Sequence, residues 1–316
     1  MAKRYKKGEQ CPVCGGKVPI ARNRVDKNNR FWCSKKCQSK AEGFSKGYAR
    51  ILTKWQQVVD DTKTFRGDAQ DPIINVNSKS PITIGGDMHV PIHDPRWVKQ
   101  MMAVSKALDS RVLILNGDFL NLDGLGRHVD SHWRRRQCVE DDFAAGERLL
   151  DLFAHHYERV YIVAGNHCND RLQKIFRGEV PNSRLWALLN INDKKNIFTT
   201  EYSYVIVNNC FYVGHPREYR KQPGSLGKAF MEKYNMNVLL AHQHHLSMMM
   251  INGFWVVDGG CLILSHDASY IQKSFNSFPN PVNGFYTLHG CTPKMWSAKS
   301  DFESIGAENF VRGKNE

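Results

Sequence analysis

No apolar run in this sequence approaches the roughly 18 residues that a membrane span requires, so no membrane partner is expected. The first ten residues, MAKRYKKGEQ, are charged and have no hydrophobic stretch behind them. No secretory leader is expected, and the chain is predicted to be cytoplasmic. Internal repeats and low-complexity tracts are also missing, which removes repeat arrays from consideration. Acidic residues are in short supply: 31 Asp+Glu stand against 44 Lys+Arg, a formal net charge of +13. The imbalance is local, because residues 1–80 hold 18 Lys/Arg and 7 Asp/Glu, a net of +11, and the rest is nearly neutral. A basic module joined to a near-neutral domain favours a polyanionic partner, with nucleic acid the first candidate.

What is present suffices for a large α/β domain and a small module: 316 residues, 41% of them hydrophobic and 24% charged. In a reducing compartment the nine cysteines point to metal binding or free thiols rather than disulfides. Four of them open the chain. Cys11 and Cys14 precede a Gly15-Gly16 turn, and Cys33 and Cys37 have the i, i+4 spacing of a helix face. Four thiolates from a turn and a helix start match a tetrahedral structural zinc site. Residues 1–40 thus resemble a treble-clef or ribbon zinc finger. Residues 38–63 repeat apolar positions at helical spacing (Phe44, Tyr48, Ile51, Leu52, Trp55, Val58, Val59), and residues 64–80 read as linker. A basic helix and linker over 41–80 therefore separate the finger from the larger domain.

From residue 81 the pattern alternates. Strands are predicted at 82–86, 112–117, 160–165, 204–207, 211–214, 237–241, 247–251, 254–257 and 284–288. Helices are predicted near 95–108, 138–156, 182–190 and 224–235. Early β-α-β alternation and then consecutive strands imply an α/β fold of two packed β-sheets flanked by helices. The domain is expected over 81–292, with a tail over 293–316.

Chemistry-bearing residues stand at the C-terminal ends of these strands, where open α/β sheets place ligands. They are Asp87-Met88-His89, Gly117-Asp118, Gly165-Asn166-His167, Gly214-His215 and His242-Gln243-His244. Core packing gives no reason to repeat such groups after every strand, whereas a metal centre does. In this order the fragments resemble the calcineurin-like metallophosphoesterase superfamily, over residues 82–260. The resemblance implies two divalent metals. Asp87, His89 and His244 would bind one, Asn166, His215 and His242 the other, and Asp118 both. Mixed nitrogen and oxygen donors without sulfur suit Mn first, then Fe or Zn. His167 would face the scissile phosphate and stabilise charge or donate a proton. Three positions depart from the family pattern. Cys168 replaces an acid that orients the catalytic histidine, with Asp170 two positions on. Ala241 replaces glycine, and Asn121 replaces an acid common in the family.

After Asp118 runs a basic loop whose Arg127, His128, Arg134 and Arg135 are candidates to grip phosphates, with Trp133 to stack on a base. A second basic stretch, Arg217 to Lys221, comes after His215. Together these features favour a polymeric substrate, and the resemblance, to a superfamily with a branch of DNA-processing nucleases, implies phosphodiester hydrolysis by a nuclease acting on DNA. The alternatives are a phosphatase or phosphodiesterase acting on nucleotides, phosphoproteins or other small esters, and a nucleic-acid-binding adaptor on a phosphoesterase scaffold.

Overall fold

The computed structural model describes residues 73–125, 139–176, 181–264 and 281–311, the side chains of Ser183 and Asn192 excepted. The chain separates between Pro72 and Ile73 into two units, and all described residues lie in the second. The zinc-finger cysteines Cys11, Cys14, Cys33 and Cys37, the helix over 38–63, and the loop residues Arg127, His128, Trp133, Arg134 and Arg135 lie outside the described residues.

Two six-stranded sheets pack face to face. The first runs β12 (Thr292–Ser297), β11 (Gly284–His289), β2 (Ile82–Gly85), β3 (Val112–Asn116), β4 (Arg159–Val163) and β5 (Ile197–Thr199). The second runs β1 (Asn75–Val76), β6 (Tyr204–Val207), β7 (Phe211–Gly214), β8 (Asn237–Leu240), β10 (Phe254–Gly259) and β9 (Leu246–Ile251). β2 to β5 are parallel, as are β7, β8 and β10, so the C-terminal ends within each group share one edge of their sheet.

The apolar runs of β2, β3 and β4 are continuous because both faces are covered. Ile82, Ile84, Val112, Ile114 and Val163 point between the sheets and meet Val205, Val213, Leu239 and Val257. Leu113, Leu115, Val160 and Ile162 point outward and pack with helix α1 (Pro95–Ala107) and helix α2 (Val139–His156) through Trp97, Met101, Val104, Leu150 and Phe153. Asp94 caps α1 by accepting the Arg96 N–H, and Pro95 sits in the first turn where a missing N–H costs nothing. Short α3 (Arg171–Ile175) and α4 (Asn182–Trp186) come after β4, and α5 (Ser225–Tyr234) covers the outer face of the second sheet. The architecture is the two-sheet sandwich with helices outside that the alternating pattern implied.

Three differences from the sequence reading have physical causes. The segment set apart as a tail from residue 293 carries strand β12, which pairs with β11 along its whole length. Trp296 and Phe302 are fully buried and stack on each other at 5.6 Å. Pro293 and Lys294 hide this strand in the sequence, yet an edge strand tolerates proline because one side needs no donor. The linker assigned up to residue 80 contains β1, which pairs with β6. The expectation of no disulfides is overturned at Cys210 and Cys291, which are bonded with their Cα atoms 6.1 Å apart. Cys210 lies in the β6–β7 turn and Cys291 in the β11–β12 turn. The sandwich brings these turns together, and Asn208 Nδ2 also donates to the Gly290 carbonyl at 2.9 Å.

Candidate metal centre

Five parallel strands, β2, β3 and β4 of the first sheet and β7 and β8 of the second, each deliver one fragment of the site at their C-terminal ends. Loops after β2 and β3 are fastened by main-chain bonds, Asp87 N–H to the Gly117 carbonyl at 3.2 Å and His89 N–H to the Asp118 carbonyl at 2.9 Å. Asn116 Nδ2 reaches across to the Gly214 carbonyl at 3.1 Å, tying β3 to the loop that carries His215. The motif glycines are required by crowding. A Cβ on Gly117 (φ +78°) would lie 2.1 Å from the His215 ring, and one on Gly165 would lie 2.1 Å from the Asp118 nitrogen.

Five of the seven ligand candidates have a left-handed backbone: Asp87 (φ 48°), His89 (49°), Asp118 (43°), His242 (79°) and His244 (56°). Non-glycine residues adopt this region at a cost, and they concentrate where function over-determines the chain.

The donor atoms converge. Asp87 Oδ1 lies 3.1 Å from His215 Nε2, 3.5 Å from His244 Nε2 and 3.8 Å from His89 Nε2. Asp118 Oδ2 lies 3.3 Å from His215 Nε2 and 3.9 Å from His89 Nε2. Ligands about 2.1 Å from one ion sit roughly 3.0–3.4 Å apart, and the donor atoms here are at or within about half an ångström of that spacing. Among the described residues three sets of side chains offer close-set ligand atoms: Asp87, His89 and His244; Asp118, His215 and His242; and His89, Asp118 and His167. Asn166 Oδ1 is buried with no hydrogen-bond partner, as is His215 Nδ1. An orphaned buried carbonyl oxygen on the residue before His167, whose N–H binds Asp118, has the chemistry of a metal ligand.

Main-chain donors fix the carboxylates. The His242 N–H pins Asp87 Oδ2 at 2.8 Å, leaving Oδ1 to the histidines. The His167 N–H pins Asp118 Oδ1 at 2.7 Å, leaving Oδ2. Burial would raise both carboxyl groups, but the surrounding imidazoles, His244 first for Asp87 and His215 first for Asp118, hold them well below the usual range. Burial opposes a charge on His215, yet Asp118 and Asp87 outweigh it and lift this imidazole to about 10. An imidazolium held between two buried carboxylates marks a place that accepts positive charge, and metal binding there would displace its proton.

His167 sits at the edge of the cluster, its ring 4.5 Å from that of His89 and perpendicular to it. Burial draws its imidazole down to about 3, against the pull of Asp118 and with the help of Arg171. Its Nδ1 lies 3.1 Å from the Asn121 carbonyl, so a main-chain oxygen orients the ring. Cys168, the next residue, is a buried thiol whose Sγ donates to Asn169 Oδ1 at 3.3 Å, and burial pushes it up to about 12. It belongs to the core.

The sequence reading passed over Arg171. Its Nη1 donates to Asp123 Oδ1 at 2.8 Å and to the Asn121 carbonyl, and its Nη2 lies 3.3 Å from His167 Nε2. The available signal was its spacing, four residues after His167 on a helical segment. In the second basic stretch, exposed Arg217 pairs with Asp170 at 2.6 Å and joins the His215 loop to the His167 segment.

No protein-family model matches this sequence, and no curated protein matches it. Solved structures that resemble it include vacuolar protein sorting 29 from Cryptosporidium parvum, 14% identical over 69% of this chain and 98% of that one, with a TM-score of 0.38. A novel archaeal phosphodiesterase is 13% identical over 68% and 98%, with a TM-score of 0.38. Nuclease MPE from Pseudomonas putida is 16% identical over 68% and 87%, with a TM-score of 0.31.

Proposed function

We propose that this chain is a metal-dependent phosphoesterase that hydrolyses phosphodiester bonds, with DNA as the substrate class. The observation that carries the reading is the convergence of Asp87, His89, Asp118, His215, His242 and His244 where strands of both sheets end, with an orphaned Oδ1 on Asn166, the residue before His167. Asp87, His89 and His244 would hold one divalent ion and Asn166, His215 and His242 a second, with Asp118 between them. Nitrogen and oxygen donors without sulfur favour Mn, then Fe or Zn. Such a pair supplies Lewis acidity, activating water and neutralising charge on the phosphoryl oxygens.

The chain's own groups do the aiming. Each of Asp87 and Asp118 has one oxygen tied to a main-chain N–H, so the other is presented without rotational freedom. His167 is held through Nδ1 by the Asn121 carbonyl, which turns its Nε2 to the Arg171 guanidinium at 3.3 Å at the edge of the cluster. The preference for a polymeric substrate rests on charge. Residues 1–80 carry a net of +11, and the loop after Asp118 contains Arg127, Arg134, Arg135 and Arg136.

The test is hydrolysis, with Mn present, of labelled single- and double-stranded DNA beside bis(4-nitrophenyl) phosphate, comparing wild type with His167→Ala. DNA cleavage that vanishes in the variant is expected. Cleavage of the aryl ester alone would keep the chemistry and replace DNA by a small ester. Tight DNA binding with no turnover would leave only a scaffold.

A further inference from the structure

Arg171 is largely buried, with 16% of its side chain exposed, and the two ends of its guanidinium are treated differently. Nη1 is anchored by Asp123 Oδ1 at 2.8 Å and by the Asn121 carbonyl. Nη2 is turned to His167 Nε2 at 3.3 Å. The Asn121 carbonyl can only accept, so His167 Nδ1, at 3.1 Å from it, carries the ring proton. In the neutral ring Nε2 is then an acceptor, and the hydrogen bond between the two side chains runs from Arg171 to His167. The N–H groups at this edge of the cluster therefore belong to the arginine. Nη2 carries two of them. One is directed at His167, and the other is available to an oxygen arriving beside it.

Resting on the phosphoesterase reading, we propose that Arg171 is a catalytic residue that binds a non-bridging phosphoryl oxygen, with Asp123 and His167 as the groups that aim it. The chemistry suits the task. A guanidinium is permanently charged and planar, and it matches the geometry of phosphate oxygens, whereas a lysine supplies only a point charge. A cation half-withdrawn from water also holds an anion more strongly than an exposed one does. His167 then acts through the arginine as a positioning residue, a division of labour that the motif pattern alone does not contain.

The experiment measures inorganic phosphate affinity of the Mn-loaded full chain by calorimetry, together with kcat and KM on bis(4-nitrophenyl) phosphate. Arg171→Met is expected to weaken phosphate binding at least about tenfold and to lower kcat/KM about a hundredfold, with bound Mn unchanged. Added guanidinium should restore part of that activity in Arg171→Met and none in His167→Ala. Asp123→Asn, which releases the anchor, should weaken phosphate binding by a smaller factor. Phosphate affinity and turnover within twofold of wild type in Arg171→Met, at full Mn content, would overturn the proposal. If that variant loses Mn or does not fold, Arg171→Lys decides, and wild-type phosphate affinity in it would overturn the fork geometry argued here. A wild type that binds phosphate through Arg171 yet hydrolyses neither ester nor DNA keeps this contact and removes the phosphoesterase reading. A wild type that does neither removes both.

Discussion

The two ends of the sandwich are built to opposite rules. At the end where the parallel strands finish, loops carry Asp87, His89, Asp118, His242 and His244 in left-handed backbone, with ionised carboxylates and imidazoles buried against one another. At the other end, the left-handed positions of the β6–β7 turn are Asn208 and Asn209, residues that adopt this conformation readily, and a disulfide ties this turn to the β11–β12 turn. The first end accumulates strain and repulsion that a bound cation would relieve. The second is composed for stability. Substitutions at the two ends should therefore have opposite signatures, activity lost with fold intact at one and fold weakened with activity intact at the other.

The largest effect is expected from Asp118→Asn, because its carboxylate lies between both ligand sets. Hydrolysis of an aryl phosphodiester should fall below detection, while thermal unfolding shows a Tm no lower than wild type. A marked loss of Tm would mean that the cluster holds the fold together rather than straining it. His167→Ala comes next, with turnover reduced about 10²- to 10⁴-fold and metal content unchanged by elemental analysis. Full activity in this variant would remove His167 from the chemistry.

At the opposite end, Cys210→Ser with Cys291→Ser opens a link between residues 81 apart. Denaturant titration in non-reducing buffer should show a loss of about 4 kcal/mol. Turnover at 25 °C should stay at the wild-type value. Activity falling with stability would erase the contrast between the two ends.

The smallest effect concerns Asp142, which accepts the Leu122 N–H at 2.9 Å and is pushed by burial from 3.8 up to about 7. A carboxyl raised on folding holds its proton in the native state between these values, so stability falls as pH rises from about 4 to 7 and is flat above. Asp142→Asn should remove that slope and add on the order of 1–3 kcal/mol at pH 8. Tm measured at pH 5 and pH 8 for both proteins checks the sign, and an unchanged slope in the variant would exclude Asp142 as its source.

Much of the sandwich was legible in the sequence. The longer strands are continuous apolar runs because they are covered on both faces, and the site fragments sit directly after them. Ligand candidates that meet in space, Asp87 with His244 and Asp118 with His215, are far apart in the chain but share a strand end, which is why order along the sequence pointed to proximity. What stayed hidden has physical reasons. β1 and β5 are two and three residues long, too short for a period to register. β12 is masked by Pro293 and Lys294. The Cys210–Cys291 pair depends on two turns meeting across two sheets, which spacing does not encode. The partner of His167 is the carbonyl of Asn121, and a main-chain group leaves no trace in residue identity. Arg171 was passed over because its meaning comes from Asp123, 48 positions away.

The most direct measurement of the central claim is the number of Mn ions bound per chain, counted by equilibrium dialysis with electron paramagnetic resonance, in wild type and Asp118→Asn. A two-metal centre predicts two Mn ions per wild-type chain with a spin-coupled signal, and loss of the coupling and of at least one ion in the variant. No bound Mn in wild type, or the same count and signal in both proteins, would contradict it.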